Sequence, residues 1–324
     1  MLNNLGEIID KINKTDNIVL LVHESPDGDA VGSIIALNLA LKNMGKSVDA
    51  FIEKVPSNCE FLINSIGNDI KVFEEMDLEK KYDLCISLDC GDIDRMGTAK
   101  SLFDNSGFTI CIDHHYTNNS YAMLNYVDGE ASATGELIYN LLSDMNVKID
   151  KDIATAMYSA ISSDTGNFKH NNTKKSTFDI AGKLIEYGVD ITKVAYHLFS
   201  ETSLNRMRFM GKMLQDIEVV LDGKVGILTA KQEDIDAFCV EQSELEGMVD
   251  YARYIKGVEV GIFIKPSDGI FKVSLRSNGK VDVSEIASKF NGGGHKFAAG
   301  CKFKVENDEE VKKQLINEIR CGKI

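Results

Sequence analysis

The first half of the chain alternates short apolar runs with segments that have the hydrophobic spacing of a helix. Residues 17–22 (NIVLLV) form the first apolar run, and residues 29–44 follow with helical spacing as far as Gly45. Strands that are apolar throughout and separated by helices are typical of a parallel sheet covered on both faces. We therefore predict an α/β fold for this half. Its other predicted strands are SVDAFI (47–52), YDLCISLD (82–89) and GFTICID (107–113).

The pattern changes in the second half of the chain. Residues 131–216 have almost wholly helical spacing, and two hairpin patterns follow. The first covers 217–230 around a two-residue turn at Asp222–Gly223, and the second covers 258–277 around a longer turn at Pro266–Gly269. These hairpins predict a smaller α+β domain with a mixed sheet.

Length and charge limit the domain number and the partners. A chain of 324 residues suits two domains. We predict the larger over 1–200, a linker helix over 201–216 and the smaller over 217–324. With 36 Lys and Arg against 50 Asp and Glu, the formal net charge is −14, which disfavours binding to long nucleic acid or to an anionic membrane. A small anionic substrate stays open, because bound metals or a few local cations reverse the potential within one cleft.

The cysteines and the hydropathy bear on location. The seven cysteines are odd in number and form no Cys-x-x-Cys pair, so we expect reduced, buried thiols rather than a disulfide framework. No apolar stretch approaches the ~20 residues that span a bilayer. The N-terminal residues resemble neither a signal peptide nor an anchor. We therefore expect a cytoplasmic protein with no membrane partner.

Acidic and imidazole side chains follow three of the predicted strands. In an open parallel sheet, ligands bind beyond the carboxyl ends of the strands, so these side chains are expected to share one crevice. So many carboxylates repel one another unless cations offset their charge. The candidate metal ligands are His23, Asp27, Asp29, Asp89, His114 within the run Asp113–His115, and Asp164, which follows an apolar run of its own.

The ligand types indicate the metal and its chemistry. Imidazole and carboxylate without thiolate suit Mn²⁺, Mg²⁺ or Fe²⁺ better than structural Zn²⁺. Two His and four Asp with one shared Asp suffice for two ions, which activate a water and stabilise charge in phosphoryl transfer. His170 and His197 lie outside any cluster, and we interpret them as ordinary polar residues.

A glycine cluster marks the second domain. Gly292–Gly294 precede His295, and Ala298–Gly300 follow. Consecutive glycines let backbone N–H groups approach a phosphate, but a flexible turn between a helix and a strand has the same composition. His295, with Arg276 and Ser277 at the end of the preceding strand, favours phosphate recognition, because Arg suits bidentate phosphate contact.

Four segments resemble, in order, the motifs of the DHH phosphoesterase superfamily. They are HESPDGDAVGS (23–33), the segment at Asp89, Asp113–His115 and SDTGNF (163–168). The resemblance implies that Asp89 is shared by two ions and that His115 contacts substrate phosphate as a general acid. An orienting hydrogen bond is the alternative role for His115. The implied ligands are His23, Asp27 and Asp89 for one ion, and Asp29, Asp89, His114 and Asp164 for the other.

The second domain resembles the DHHA1 substrate-binding domain. The resemblance rests on LRS (275–277) and GGGHKFAAG (292–300). It implies substrate binding by Arg276, Ser277, Gly293, Gly294 and His295. Asn291, where a fourth glycine is common, and Lys169, where Arg is usual, depart from the family pattern.

The family resemblance predicts the substrates. The compact arrangement is similar to bacterial nanoRNases and 3′-phosphoadenosine-5′-phosphate (pAp) phosphatases. We expect hydrolysis of very short oligonucleotides such as pApA and pGpG, or removal of the 3′-phosphate of pAp, with two divalent ions. Mn²⁺ is the expected metal, with Mg²⁺ or Fe²⁺ as alternatives.

Three other functions remain as alternatives. One is direct hydrolysis of cyclic di-AMP, and another is a non-catalytic nucleotide sensor on the same fold. Inorganic pyrophosphatase activity is disfavoured by the glycine cluster. The sequence also leaves open the preferred substrate, the polarity of attack and the oligomeric state, for which a homodimer is one alternative.

Overall fold

The computed structural model describes residues 5–66, 70–72 and 77–321. The chain divides into two compact units, Met1–Glu201 and Thr202–Ile324. The segment 201–216, predicted as a linker helix, contains the helix Leu204–Gln215, which falls in the second unit. The predicted fold class is confirmed, since the first unit has a parallel sheet and the second a mixed one.

The first unit is built on a parallel sheet. Its described strands are β1 (Asn17–Leu21), β2 (Ser47–Ile52), β3 (Ile70–Val72), β4 (Leu84–Leu88), β5 (Thr109–Asp113) and β6 (Leu124–Val127). They lie in the order β3-β2-β1-β4-β5-β6, and every neighbouring pair is parallel. The order reverses between β1 and β4, which is where an open α/β sheet forms a crevice beyond its strand ends.

Both faces of this sheet are covered. Ile18 and Leu20 pack into one core, and Val19 and Leu21 pack into another on the opposite face. This explains why β1 is apolar along its whole length. The helices of the unit are α1 (Leu5–Asn13), α2 (Gly28–Asn43), α3 (Glu60–Ile66), α4 (Lys100–Asn105), α5 (Thr134–Asp144), α6 (Lys151–Asp164), α7 (Lys175–Glu186) and α8 (Ile191–Ala195).

The four strands predicted from apolar runs are confirmed as β1, β2, β4 and β5. The helix predicted over 29–44 is α2, and Gly45 follows it at a φ of 83°, a left-handed value that suits glycine. The short outer strands β3 and β6 were not predicted. In β6 the polar Asn125 interrupts the apolar pattern.

The second unit contains a mixed sheet. Its elements are α9 (Leu204–Gln215), β7 (Glu218–Val220), β8 (Val225–Thr229), α10 (Gln232–Phe238), α11 (Val249–Arg253), β9 (Val260–Ser267), β10 (Ile270–Ser277), α12 (Val283–Ser288), β11 (Gly293–His295), β12 (Ala298–Phe303) and α13 (Asp308–Cys321). The strand order is β11-β12-β10-β9-β8-β7. Only the β8–β9 pair among these is parallel.

Both predicted hairpins are present, but their turns differ from the prediction. The first hairpin has a four-residue connection, 221–224, in place of the predicted two-residue turn. Leu221, Asp222 and Gly223 all have positive φ, and the Lys224 N–H donates to the Leu221 carbonyl. The second turn is shorter than predicted, since Pro266 pairs with Phe271 inside the sheet. Pro266 lies beyond the last β8–β9 pair, so its missing N–H is tolerated at a free strand edge.

The two faces of the second sheet are covered differently. One face packs against α12 and α13 in a core that includes Leu275 and Ala299. On the other face, α9, α10 and α11 pack over Leu228 and Phe263, which belong to β8 and β9. On that second face, residues of β10, β12 and β11 are more exposed than those of β8 and β9. They include Lys272, Lys302 and His295.

The structure describes the side chains of six of the seven cysteines. Six described cysteines are free thiols, and all of them except Cys239 are buried. Among the described helices, none has the length and apolar character needed to cross a bilayer.

Candidate metal centre

The predicted metal ligands of the first unit come from loops at the sheet's reversal point. His23 follows β1, Asp89 follows β4, and Asp113 ends β5, so parallel strands present all three at one edge. Asp89 adopts a φ of 52°, and its backbone N–H donates to the Ile112 carbonyl at 3.0 Å. This constrained backbone holds the Asp89 carboxylate in the buried edge, where the residue is 2% exposed.

The loop after β1 positions two carboxylates through the start of α2. Asp27 is the N-cap, and its Oδ1 accepts from the N–H groups of Asp29 at 3.0 Å and Ala30 at 3.1 Å. Asp29 then falls in the first helical turn and is almost completely buried. A Cβ on Gly28 would lie 2.3 Å from the Ser163 Oγ, so only glycine lets this turn approach the end of α6.

His114 lies among three carboxylates. Its Nε2 is 3.6 Å from an Asp89 oxygen and 3.7 Å from oxygens of both Asp29 and Asp164. The other ring nitrogen, Nδ1, is 3.3 Å from the Ala131 carbonyl, which only accepts. Nδ1 therefore donates, and in the neutral ring Nε2 presents a lone pair to the carboxylates. Four electron-pair donors around one point fit a cation.

The structure brings the predicted ligands together in overlapping clusters, although the one with Asp29 does not include Asp89. His23, Asp27 and Asp89 offer atoms within 4.8 Å of one another, and so do Asp29, His114 and Asp164. Asp89, His114 and His115 form a third such group among the described residues. The carboxylate and imidazole donors fit divalent ions of the Mn²⁺ or Mg²⁺ type.

Asp29 is held by the N-terminus of α5. The backbone N–H groups of Thr134 and Gly135 donate to its two oxygens at 2.7 and 3.0 Å, and the Ser33 hydroxyl donates at 3.1 Å. Burial nevertheless raises the pKa of Asp29 to about 7, with a further contribution from the Asp164 charge. The Thr134 hydroxyl donates to Asp89 at 3.0 Å, and burial with the nearby carboxylates raises the pKa of Asp89 well above its usual value. A bound cation would offset these costs.

His115 is oriented by a buried carboxylate. Its Nδ1 is 2.7 Å from an Asp113 oxygen, and the Asn118 amide donates to the other Asp113 oxygen at 2.6 Å. The hydrogen bond to Asp113 raises the pKa of His115 above its usual value. Neither Asp113 nor Asn118 was assigned a role from the sequence, although Asp113 is part of the Asp113–His115 motif.

Asp164 is held by Asn172, which sequence reasoning missed. The Asn172 Nδ2 lies 3.3 Å from an Asp164 carboxylate oxygen and 3.0 Å from the Ser132 carbonyl. His170, interpreted from sequence as an ordinary polar residue, has its Nδ1 3.2 Å from the Asp164 carbonyl. His197 lies outside the described metal clusters, where its Nδ1 is 2.6 Å from Glu201.

The structure brings together only some of the residues predicted to bind substrate in the second unit. Arg276 and His295 both pair in register with Ala298, so they share one face of the sheet. Ser277 alternates to the opposite face and is 7% exposed. Its Oγ accepts from the Gly279 N–H at 3.0 Å.

The glycine cluster forms an edge strand. Sequence reasoning left a phosphate-binding nest and a flexible turn open, whereas Gly293–His295 are β11, paired with β12. A Cβ on Gly292 would lie 2.2 Å from the Gly300 carbonyl, and one on Gly294 would lie 2.5 Å from the Ala298 carbonyl. Gly293 has open space instead. Two of the three glycines are therefore required by close packing against β12.

Comparisons with known proteins agree with both domains. The sequence matches the DHH family, N-terminal domain over residues 17–161 and the DHHA1 domain over residues 227–320. It is 31% identical over 307 residues to the bifunctional oligoribonuclease and PAP phosphatase NrnA of Thermus thermophilus, covering 94% of this chain and 89% of that protein.

Solved structures have the same fold. An exopolyphosphatase-related protein from Bacteroides fragilis superposes with a TM-score of 0.89 at 27% identity, covering 97% of this chain and 95% of that one. RecJ of Thermus thermophilus in complex with Mn²⁺ superposes with a TM-score of 0.56 at 13% identity, covering 99% of this chain and 55% of that one. The latter similarity concerns the fold alone. The chain belongs to the DHH family of phosphoesterases and carries its DHHA1 domain.

Proposed function

We propose that this phosphoesterase hydrolyses very short oligonucleotides to mononucleotides and removes the 3′-phosphate of pAp. The observation that carries the proposal is the His114 Nε2 with carboxylate oxygens of Asp29, Asp89 and Asp164 at 3.6–3.7 Å. The similarity to the oligoribonuclease and PAP phosphatase NrnA runs through both domains, which supports this substrate class.

The proposed cofactor is a pair of divalent ions, with Mn²⁺ preferred. His23 and Asp27 would hold one ion, Asp29, His114 and Asp164 the other, and Asp89 both. The ions would activate water and stabilise the charge that develops on the phosphoryl oxygens. The raised pKa values of Asp29, Asp89 and Asp164, caused first by burial, support a need for cations at these positions.

His115 is proposed to donate the proton that the leaving oxygen takes up. Asp113 accepts from Nδ1, which leaves Nε2–H as the proton to be donated in the protonated ring. The Asp113 carboxylate also raises the pKa of His115, so a larger fraction carries that proton near neutral pH. The orienting hydrogen bond, which was the alternative role for His115, is thus compatible with the catalytic one.

For the second unit we propose that Arg276 and His295 contact a substrate phosphate or base. Their shared face of the sheet and the open space at Gly293 support this assignment. Gly294 keeps β11 against β12, and Ser277 supports the turn at Gly279. The formal charge of −14 disfavours long polyanions as substrates, and the free cysteines support a cytoplasmic location.

The direct test is a substrate panel. Full-length protein would be incubated with pApA, pGpG, pAp, cyclic di-AMP and pyrophosphate, each with Mn²⁺ and with Mg²⁺, and products separated by chromatography. We expect turnover of the linear dinucleotides or pAp, faster with Mn²⁺. Asp89→Asn should lose most of this activity, because both ions lose a ligand, whereas the exposed control Asp94→Asn should retain it.

The outcomes separate the alternatives. Faster cleavage of cyclic di-AMP than of pApA would favour a cyclic dinucleotide phosphodiesterase. Phosphate release from pyrophosphate alone would indicate a pyrophosphatase. Nucleotide binding without turnover of any compound would leave the sensor as the function and would reject the proposal.

A further inference from the structure

Arg95 places a guanidinium at the metal centre although no sequence motif marked it. It lies in the 3₁₀ turn Ile93–Ala99, and its carbonyl accepts from the Glu24 N–H at 2.7 Å, which ties this turn to the loop that carries His23. A Cβ on Gly97 would lie 3.0 Å from a Glu24 oxygen, so the two segments pack closely. The backbone of Arg95 is therefore fixed relative to the metal ligands.

The Arg95 side chain has unused donor capacity. Its Nη2 lies 3.1 Å from the His23 Nδ1, and the structure describes no ion pair between Arg95 and a carboxylate. A guanidinium has five N–H donors, so this contact leaves four available. Arg95 as a residue is exposed, whereas the His23 that it contacts is 3% exposed.

The charge of Arg95 also acts on the proposed proton donor. This charge lowers the pKa of His23, after burial, and opposes the rise in the pKa of His115 that Asp113 causes. One cation thus acts on a metal ligand and on His115 together. A phosphate whose leaving oxygen takes up a proton from His115 beside the metal ions would occupy this same neighbourhood.

The contact to His23 is suited to release. Because arginine only donates, the His23 Nδ1 accepts, and the proton of the neutral ring is then on Nε2. The His23 Nε2 faces Asp89 at 3.9 Å and would need its lone pair to hold an ion there. The ring proton must then lie on Nδ1, where it cannot accept from Arg95. Ion binding would therefore free the whole guanidinium fork.

We propose that Arg95 binds a non-bridging phosphate oxygen of the substrate at the metal centre, and that in the ion-free protein it rests on His23. The ligand class is a phosphate monoester or diester, for which a planar fork of N–H groups is well matched. This inference deepens the proposed function and rests on it for the location of the phosphate.

The test measures inorganic phosphate binding rather than turnover. Full-length protein saturated with Mn²⁺ would be titrated with phosphate by calorimetry, and Mn²⁺ affinity would be measured separately. The variants are Arg95→Gln, which keeps a donor for His23, and Arg95→Lys, which keeps the charge without the fork. Lys100→Gln is the control, because Lys100 is a nearby cation whose partner is Asp104.

We expect Arg95→Gln to weaken phosphate binding about ten- to hundredfold, as for a lost charged hydrogen bond, with Mn²⁺ affinity unchanged or tighter. Arg95→Lys should be intermediate and Lys100→Gln unchanged. Unchanged phosphate affinity in Arg95→Gln, or a parallel loss of phosphate and Mn²⁺ binding, would overturn the inference. Since no turnover is needed, inactivity on the nucleotide panel would reject the proposed function without deciding the role of Arg95.

Discussion

Asp29 illustrates how single residues reconcile burial with charge in this centre. Its carboxylate is removed from water, which raises its pKa to about 7, yet it accepts from two backbone N–H groups and a serine hydroxyl. The two N–H groups lie at the N-terminus of α5, where the helix dipole favours negative charge. They fix the orientation of both oxygens while leaving lone pairs for a cation. The Asp29 carboxylate can therefore accept these hydrogen bonds and still bind a cation.

Asn172 provides a comparable support for Asp164, and its removal should weaken the metal site. Asn172→Ala removes an amide that contacts both the Asp164 carboxylate and the Ser132 carbonyl. Lost supporting contacts of this kind reduce metal affinity about tenfold or more. Calorimetric titration with Mn²⁺ is the measurement, and the exposed neighbour Asn171→Ala is the matched control. Equal Mn²⁺ affinities in the two variants would show that Asp164 needs no such support.

Asp49 should contribute to acid sensitivity outside the metal centre. Burial alone would raise its pKa, but hydrogen bonds from Lys80, Lys71 and Tyr82 lower it below the usual range. A carboxylate whose pKa is depressed in the folded state stabilises the protein above its unfolded pKa of about 3.9, and this contribution is lost as pH falls toward the folded value.

Asp49→Asn should therefore reduce the free energy of unfolding by about 1 kcal/mol at pH 7 and flatten its decline between about pH 5 and pH 2. Urea unfolding at several pH values measures this. Asp10→Asn is the control, because the Asp10 side chain is 71% exposed and pairs only with Lys14 among the described residues. A parallel decline in Asp49→Asn and the unmodified protein would contradict the assignment.

The predicted metal ligands are more visible in sequence than the residues that contact them. His23, Asp89 and His114 stand out because their side-chain types and strand-end positions suit metal binding. Arg95 and Thr134 do not, since an arginine in a turn and a threonine before a helix are ordinary. Their contacts to His23 and Asp89 span 72 and 45 residues, which only the folded sheet brings together.

At the scale of elements, three glycines allow helices to pack closely around α6. Cβ atoms on Gly28, Gly32 and Gly135 would each meet atoms of α6 within 3.0 Å. Gly32 is the most confined by backbone, with the Ala156 carbonyl at 2.5 Å and the Ala160 nitrogen at 2.8 Å from its ideal Cβ. Because Asp164 ends α6, this packing also sets the position of a predicted metal ligand.

Gly32→Ala should consequently destabilise the first unit. The added methyl forces α2 and α6 apart, at a cost of about 1–3 kcal/mol. Gly182→Ala in the exposed part of α7 is the matched control, where no atom lies within 4 Å of the added Cβ. There alanine should stabilise by up to about 1 kcal/mol through its helix propensity. Thermal unfolding of both variants measures the difference, and equal midpoints would contradict the packing argument.

Elements with a strong hydrophobic pattern were predicted from the sequence. Elements whose conformation depends on pairing with a neighbouring strand were not. The strands β1, β2, β4 and β5 are buried on both faces, so their sequences consist mainly of apolar residues. The edge strand β11 is mostly glycine, and its conformation depends on pairing with β12. Pro266 likewise signals a turn locally, although its place in β9 depends on the length of β8.

At the scale of the whole molecule, the charge and the division into units are connected. Four of the acids behind the formal charge of −14, namely Asp27, Asp29, Asp89 and Asp164, lie in the candidate centre of the first unit. Two divalent ions would bring four positive charges to these four carboxylates. The net charge therefore overstates the repulsion of a phosphate at that site, while it remains an obstacle to long polyanions elsewhere.

Because the clustered ligands all lie in the first unit, we expect Mn²⁺ to stabilise that unit only. Each unit has its own hydrophobic cores, so calorimetric unfolding should contain two transitions. Free Mn²⁺ at about 100 times its dissociation constant adds roughly 2.7 kcal/mol to the unit that binds it. For a unit of this size, the corresponding midpoint should rise by about 5–10 °C relative to protein in chelator.

The unfolding transition of the second unit is the internal control for this Mn²⁺ experiment, because that unit contains none of the clustered ligands. Asp89→Asn should remove most of the shift in the first transition, since both predicted ion positions lose a shared carboxylate. A shift of both transitions by the same amount would mean that the units unfold together or that Mn²⁺ binds elsewhere. An unshifted first transition would contradict the metal site, because an ion that binds only the folded cluster must stabilise it.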